Sequence, residues 1–176
     1  MRKVLLFACS ACVAVVVASP AAGTNPPTKV TVTQQNVLSD PTACGSYGVQ
    51  WNISLTADIF TYFDREGRRV RQAVHIREDN TVVNTVTGLT LRDGPVDFWQ
   101  TTTFNPETGA RELIYIVGTS VNVRRGKERL LDKGRLVIDG QTGIILESEG
   151  QHPLRELMNG SFDIRLALPG FCDILR

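Results

Sequence analysis

The stretch Trp51-Asn52-Ile53-Ser54-Leu55-Thr56-Ala57-Asp58-Ile59-Phe60-Thr61-Tyr62-Phe63 decides the fold. Trp51, Ile53, Leu55, Ala57, Ile59 and Phe63 share one parity, while Asn52, Ser54, Thr56 and Asp58 hold the other, with Asp64 next in line. Successive side chains of a strand point to opposite faces, so an alternation of this length predicts a strand with one buried side. Phe60 and Tyr62 break the polar parity and predict a bulge, or apolar cover on the outer face as well.

Working outward, β-prone segments recur at Val70–Val83, Leu89–Phe104, Glu112–Val123, Leu136–Ile138 and Ile144–Glu147, with a short first strand at Thr28–Thr33. Asp93-Gly94-Pro95 is expected to kink the Leu89–Phe104 segment. Four connections, at 64–67, 84–88, 105–109 and 139–143, open with Asp or Asn and close on Gly. The first side chain can cap its own turn, and the glycine can take the positive φ needed to re-enter a strand. No segment before residue 150 has a helical period; Gln151–Met158 is read as a short helix or irregular cover. The pattern predicts an all-β antiparallel up-and-down meander. Long meanders remove their edges by closing, so a barrel of about eight strands is the expected architecture, with a two-sheet sandwich as the alternative.

The N-terminus reads as a cleaved secretory signal peptide over residues 1–23. Met1-Arg2-Lys3 is basic, Val4–Val17 carries no charge, and Ser19-Pro20-Ala21-Ala22-Gly23 supplies small residues for cleavage. Residues 24–43 then form a linker, with Pro26-Pro27, and the first strand; residues 44–176 form the barrel-like domain. Cys9 and Cys12 fall inside the signal segment, and bulky Phe7 with the apolar run beyond both cysteines argues against lipidation. The expected location is therefore secreted and extracellular. There, Cys44 and Cys172 are expected to pair as a disulfide closing nearly the whole domain. Beyond the signal no apolar run is long enough to span a membrane.

Cleavage would remove Arg2 and Lys3 but no acid, leaving 17 basic against 18 acidic residues. That balance gives no global attraction to nucleic acid. Arginine is abundant, 15 against 4 lysines, and gathers as Arg65, Arg68, Arg69, Arg71 and Arg77 and again from Arg124 to Arg135. Guanidinium groups bind oxyanions in a bidentate fork, so these clusters suit an anionic cell-envelope polymer, although acids are interspersed among them.

Catalytic motifs are scarce. Gly118-Thr119-Ser120-Val121-Asn122 lacks the closing glycine of a nucleophile elbow and lies mid-strand. No phosphate loop or dinucleotide fingerprint occurs, and two distant histidines do not make a zinc site. No metal or cofactor is expected. His75 shares a parity with Arg71 and Arg77, and it reads as a solvent-facing residue; His152, beside Pro153, reads as a loop residue of the same kind. Asp58 and Asp97 could form an acid–base pair only if both entered one cavity, and the default is solvated strand-face charge.

Phe63-Asp64-Arg65-Glu66-Gly67-Arg68-Arg69-Val70, Asn84-Thr85-Val86-Thr87-Gly88 and Gly134-Arg135-Leu136-Val137-Ile138-Asp139 lie between Cys44 and Cys172. On these the chain resembles a diffuse group of uncharacterised secreted β-barrel-like proteins of high-GC Gram-positive bacteria. More broadly its strand layout is similar to lipocalin and allene-oxide-cyclase barrels, although Gly48-Val49-Gln50-Trp51 has one residue more than the lipocalin G-x-W. The resemblance implies a fold and no activity. The reading that follows is a non-enzymatic barrel binding a small apolar ligand or lipid through Trp51, Phe63, Trp99 and Tyr115. The alternatives are an envelope-associated protein binding an anionic polymer through arginine, and a barrel enzyme using carboxylates or His75.

Overall fold

The computed structural model describes residues 26–155 and 164–176. The expected signal segment lies outside them. Of Gln151–Met158, Gln151 ends a strand, His152 follows without regular structure, Pro153–Arg155 forms a turn, and 156–158 lie outside the described residues.

Seven strands follow one another as a single antiparallel meander: β1 (Thr28–Asp40), β2 (Val49–Phe63), β3 (Arg69–Asn84), β4 (Thr90–Phe104), β5 (Arg111–Arg125), β6 (Glu128–Asp139) and β7 (Ile145–Gln151). The all-β class and the antiparallel order agree with the alternation. The sheet is open, since β1 pairs only with β2 and β7 only with β6. Strand β1 extends well past Thr33, where alternation fades through Gln34-Gln35-Asn36. Its unbroken pairing with β2, from Thr28↔Thr61 to Asp40↔Val49, supplies the ladder that local sequence does not advertise.

The four turns form as their chemistry predicts. Asp64 Oδ1 accepts from the N–H groups of Glu66 and Arg68 at 3.0 and 2.8 Å. Asn84, Asn105 and Asp139 each accept from the N–H groups two and three residues on, at 2.7–3.0 Å. The closing glycines take left-handed backbone, as at Gly88 with φ 72°.

One face of the curved sheet holds the core. At one end Val49, Trp51, Val82, Val121 and Val123 pack under the C-terminal segment, a 3-10 turn at Ile164–Phe171 and the short helix α1 (Cys172–Leu175). The rings of Phe171 and Trp51 meet edge to face with centroids 5.1 Å apart. The Cys44–Cys172 disulfide forms as expected, tying the β1–β2 loop to this segment with Cα atoms 5.5 Å apart. The Tyr47 hydroxyl donates to the carbonyl of Cys172, and Asn84 Nδ2 donates to that of Leu175 at 3.1 Å. At the other end Ile116, Leu136, Ile138 and Ile145 form a second cluster.

Between the two clusters, Phe98, Gly118, Gly134 and Gly150 lie side by side across β4–β7. Gly134 has φ 141°, a conformation open to glycine and strained for other residues. A Cβ there would stand 2.9 Å from His152 Nε2, and one on Gly118 would stand 2.6 Å from Phe98 Cα. The missing side chains let the sheet bend sharply and let His152 approach its inner face.

Candidate functional site

The bend leaves a cavity of about 230 Å³ on the inner face. Trp51, Ile53 and Leu55 of β2 form one wall, with Phe98, Ile116 and Leu136 of β4–β6 continuing it, and Leu154 and Ala167 reach it from the C-terminal region. The β2 contribution is the apolar parity that decided the fold.

Polar groups enter at two places. On β3, Glu78 pairs with Leu55 and Val96 and so lies between apolar neighbours. Asn80 Nδ2 donates to Glu78 Oε2 at 2.7 Å and more weakly to Asp93 Oδ2 at 3.3 Å. Asp93 also accepts from Trp51 Nε1 at 3.1 Å and from the Asn122 N–H at 2.7 Å. Asn80 and Asp93 are fully buried. Burial pushes the Glu78 carboxyl above its ordinary pKa, and the nearby Asp93 adds to this. Burial likewise raises Asp93, partly offset by its three donors.

Asp93 and Phe98, of opposite parity, both face inward because the expected kink reverses the strand's parity between them. Register shifts between Glu78 and Asn80, opposite Gly94-Pro95. Before it Leu91 and Asp93 pair with inner-face residues; after it Val96, Phe98 and Gln100 do. A bulge re-aims side chains in this way.

The second polar group sits on β5 and β6. Another register shift leaves Ser120 as the extra residue between Thr119 and Val121. Its Oγ donates to Asp132 Oδ1 at 2.7 Å, and His152 Nδ1 meets the same oxygen at 2.9 Å. His152 Nε2 lies 3.1 Å from the carbonyl oxygen of Glu149, which can only accept, so Nε2 carries a proton. The side chains of His152 and Asp132 are 7% and 6% exposed. His152 is thus not the solvent-facing loop residue expected from sequence: the gap at Gly134 admits its ring, and Asp132 satisfies it.

The residues expected to form a ligand site are not brought together. Trp51 lines the cavity. Phe63 and Tyr115 are half-buried and away from it. Trp99 lies on the opposite, outer face, 42% exposed, because the β4 parity reverses before it. There it stacks on His75, with centroids 4.6 Å apart, and on Phe60. His75 Nε2 bonds Asp97 at 2.8 Å. Asp58 shares that face; the Thr31 hydroxyl, with Lys29 and Arg77, holds it below its ordinary pKa. Asp58, Asp97 and His75 therefore sit outside the cavity, as the strand-face reading expects.

Many of the clustered arginines are engaged within the chain. Arg68 pairs with Asp64 and Glu66, Arg77 with Asp58, and Arg135 with Glu147 and Glu149. The guanidinium groups of Arg69 and Arg71 lie over the rings of Phe104 and Tyr62 at 3.7 and 3.9 Å. Arg125 donates to the carbonyls of Ile174 and Arg176. Among the described residues no group of three or more His, Cys, Asp and Glu is placed to hold a metal ion. None is long and apolar enough as a helix to cross a membrane.

No protein-family model, curated protein or solved structure matches the chain. Glu78, Ser120, Asp132 and His152 were not singled out together by sequence, because two bulges and a bend, all tertiary features, aim them at one space.

Proposed function

We propose that the protein is a secreted binding protein that holds one small, largely apolar molecule inside its curved sheet. The observation that carries this reading is the 230 Å³ cavity, with apolar and aromatic walls and a few polar groups gathered at two places. Ligand sites usually measure ~300–1,000 Å³, so this one suits a molecule of one ring or a short chain. Its space equals that of roughly eight water molecules. In this reading the meander works as a barrel with one side left open, and the C-terminal segment, held by the Cys44–Cys172 bond, covers the end that strand pairing leaves uncovered. The basic, apolar and small-residue order of residues 1–23 and the disulfide both support export to an oxidising compartment.

Native mass spectrometry and thermal unfolding with phenethyl alcohol test the reading. The expected result is a one-to-one adduct and a saturable rise in Tm, both lost in Leu55→Trp, which fills the cavity while leaving the ladder intact. Absence of binding, or an adduct indifferent to Leu55→Trp, would overturn it.

A further inference from the structure

Charge narrows the ligand further. Among the described residues lining the cavity there is no Lys or Arg. Glu78 and Asp132 reach its wall, Asp93 stands behind Glu78 through Asn80, and His152 is the one lining group able to carry positive charge. Asp132 is answered by His152 and Ser120, and Asp93 by three N–H donors. Glu78 is answered least: Asn80 occupies Oε2, and among the described residues no donor reaches Oε1. Arg77, its nearest basic neighbour in sequence, turns outward to Asp58, and Arg92 on β4 turns to Asp79.

We propose that the cavity takes a small organic ammonium, an apolar body with one protonated amine, seated with its nitrogen against Oε1 of Glu78. This rests on the cavity being the ligand site. A carboxylate half withdrawn from water with no counter-charge among the described cavity-lining residues but His152 is costly, and burial raises the pKa of Glu78 accordingly. An ammonium supplies both the missing charge and an N–H donor. The Trp51 and Phe98 rings suit a cation, since the face of an aromatic ring carries partial negative charge. A fatty acid or other carboxylate would instead meet Glu78, Asp93 and Asp132 with no arginine among the described lining residues to receive it. A neutral alcohol could donate one hydrogen bond but would leave the charge unanswered. The inference thereby replaces the broader class of apolar ligands and lipids with cationic amphiphiles of small size.

Three near-isosteric probes separate these cases: phenethylamine, phenethyl alcohol and phenylpropionate, titrated calorimetrically at neutral pH into the full mature protein. A hydrogen bond to a charged group predicts that the amine binds about ten- to a hundredfold tighter than the alcohol, with no binding of the acid. In Glu78→Gln the amine should lose that advantage while alcohol binding persists. The comparison on the unaltered protein needs no variant to fold. Alcohol binding equal to amine binding, binding of phenylpropionate, or an amine preference that survives Glu78→Gln would overturn the ammonium assignment and leave the cavity reading standing. Failure of all three probes would overturn both.

Discussion

Replacing both cysteines of the Cys44–Cys172 bond by alanine should cost most of the protein's stability margin without changing its folded architecture. The bond joins positions 128 apart in sequence. A cross-link of that span removes roughly 17 cal/mol/K of loop-closure entropy from the unfolded chain, or about 5 kcal/mol at room temperature. Small domains are stable by ~5–15 kcal/mol, so the loss is a large share. The folded state should persist, because Phe171, Leu175, Ala167 and Leu168 remain packed on Trp51, Val82 and Val123. Tyr47 and Asn84 also still bind the C-terminal carbonyls. Urea unfolding followed by far-UV circular dichroism reads both quantities. A drop of about 3–5 kcal/mol with a steeper m-value is expected, since an unlinked chain exposes more surface on unfolding. A drop below about 1 kcal/mol with unchanged m would refute the reasoning. It would mean that the unfolded chain is held compact by something other than the bond, and that the C-terminal segment docks through packing alone.

Gly134→Ala should cost about 3 kcal/mol or more, from the strain of a side chain at φ 141° and the clash of its Cβ with the backbone carbonyl of Glu149 first and the His152 ring second. Because the first clash is with backbone, most of that cost should persist in a His152→Ala background when followed by thermal unfolding. Asp93→Asn should cost about 1–3 kcal/mol, because an amide donor then faces the donors of Trp51, Asn80 and Asn122; the Trp51 indole N–H resonance should shift with it. Stability should also fall as pH rises above the ordinary carboxylate values of 3.8 and 4.5 for Asp93 and Glu78. Both folded pKa values are raised, so in that window the native state binds more protons than the unfolded state, and deprotonation costs native stability. The turn carboxylates Asp64 and Asp139 act in the opposite sense: their folded pKa values are lowered, so their contribution is lost as pH drops below about 4. Denaturation midpoints against pH should thus pass through a maximum, and the alkaline slope should flatten in Glu78→Gln.

The legible part of this fold is its local chemistry. Asp or Asn at the head of each turn, glycine at its close, and the parity of Trp51 to Ile59 fix strand positions and the buried side of β2, since each acts within a few residues. Parity ceases to be transferable once a strand contains an extra residue. Asp93-Gly94-Pro95 announces a break in β4 but not its consequence, that Trp99 turns outward while Phe98 and Asp93 turn in. Counting parity from Leu91 would place Trp99 inside, and only the pairing of β3 with β4 shows otherwise. The same holds for Ser120, whose inward turn depends on a bulge in β5 against β6. The glycines depend on the same bulge: the turn pairs Arg125 with Glu128, a register that would set Gly118 against Arg135, and the extra residue Ser120 shifts the ladder by one so that Gly118 faces Gly134. Two facing residues without side chains mark a place where the sheet can fold onto something bulky, and here Phe98 and His152 take that space. The bend and its cavity therefore become legible only once the bulge has set the register, because the glycines mark a bend by facing each other and their spacing in the sequence alone does not bring them together.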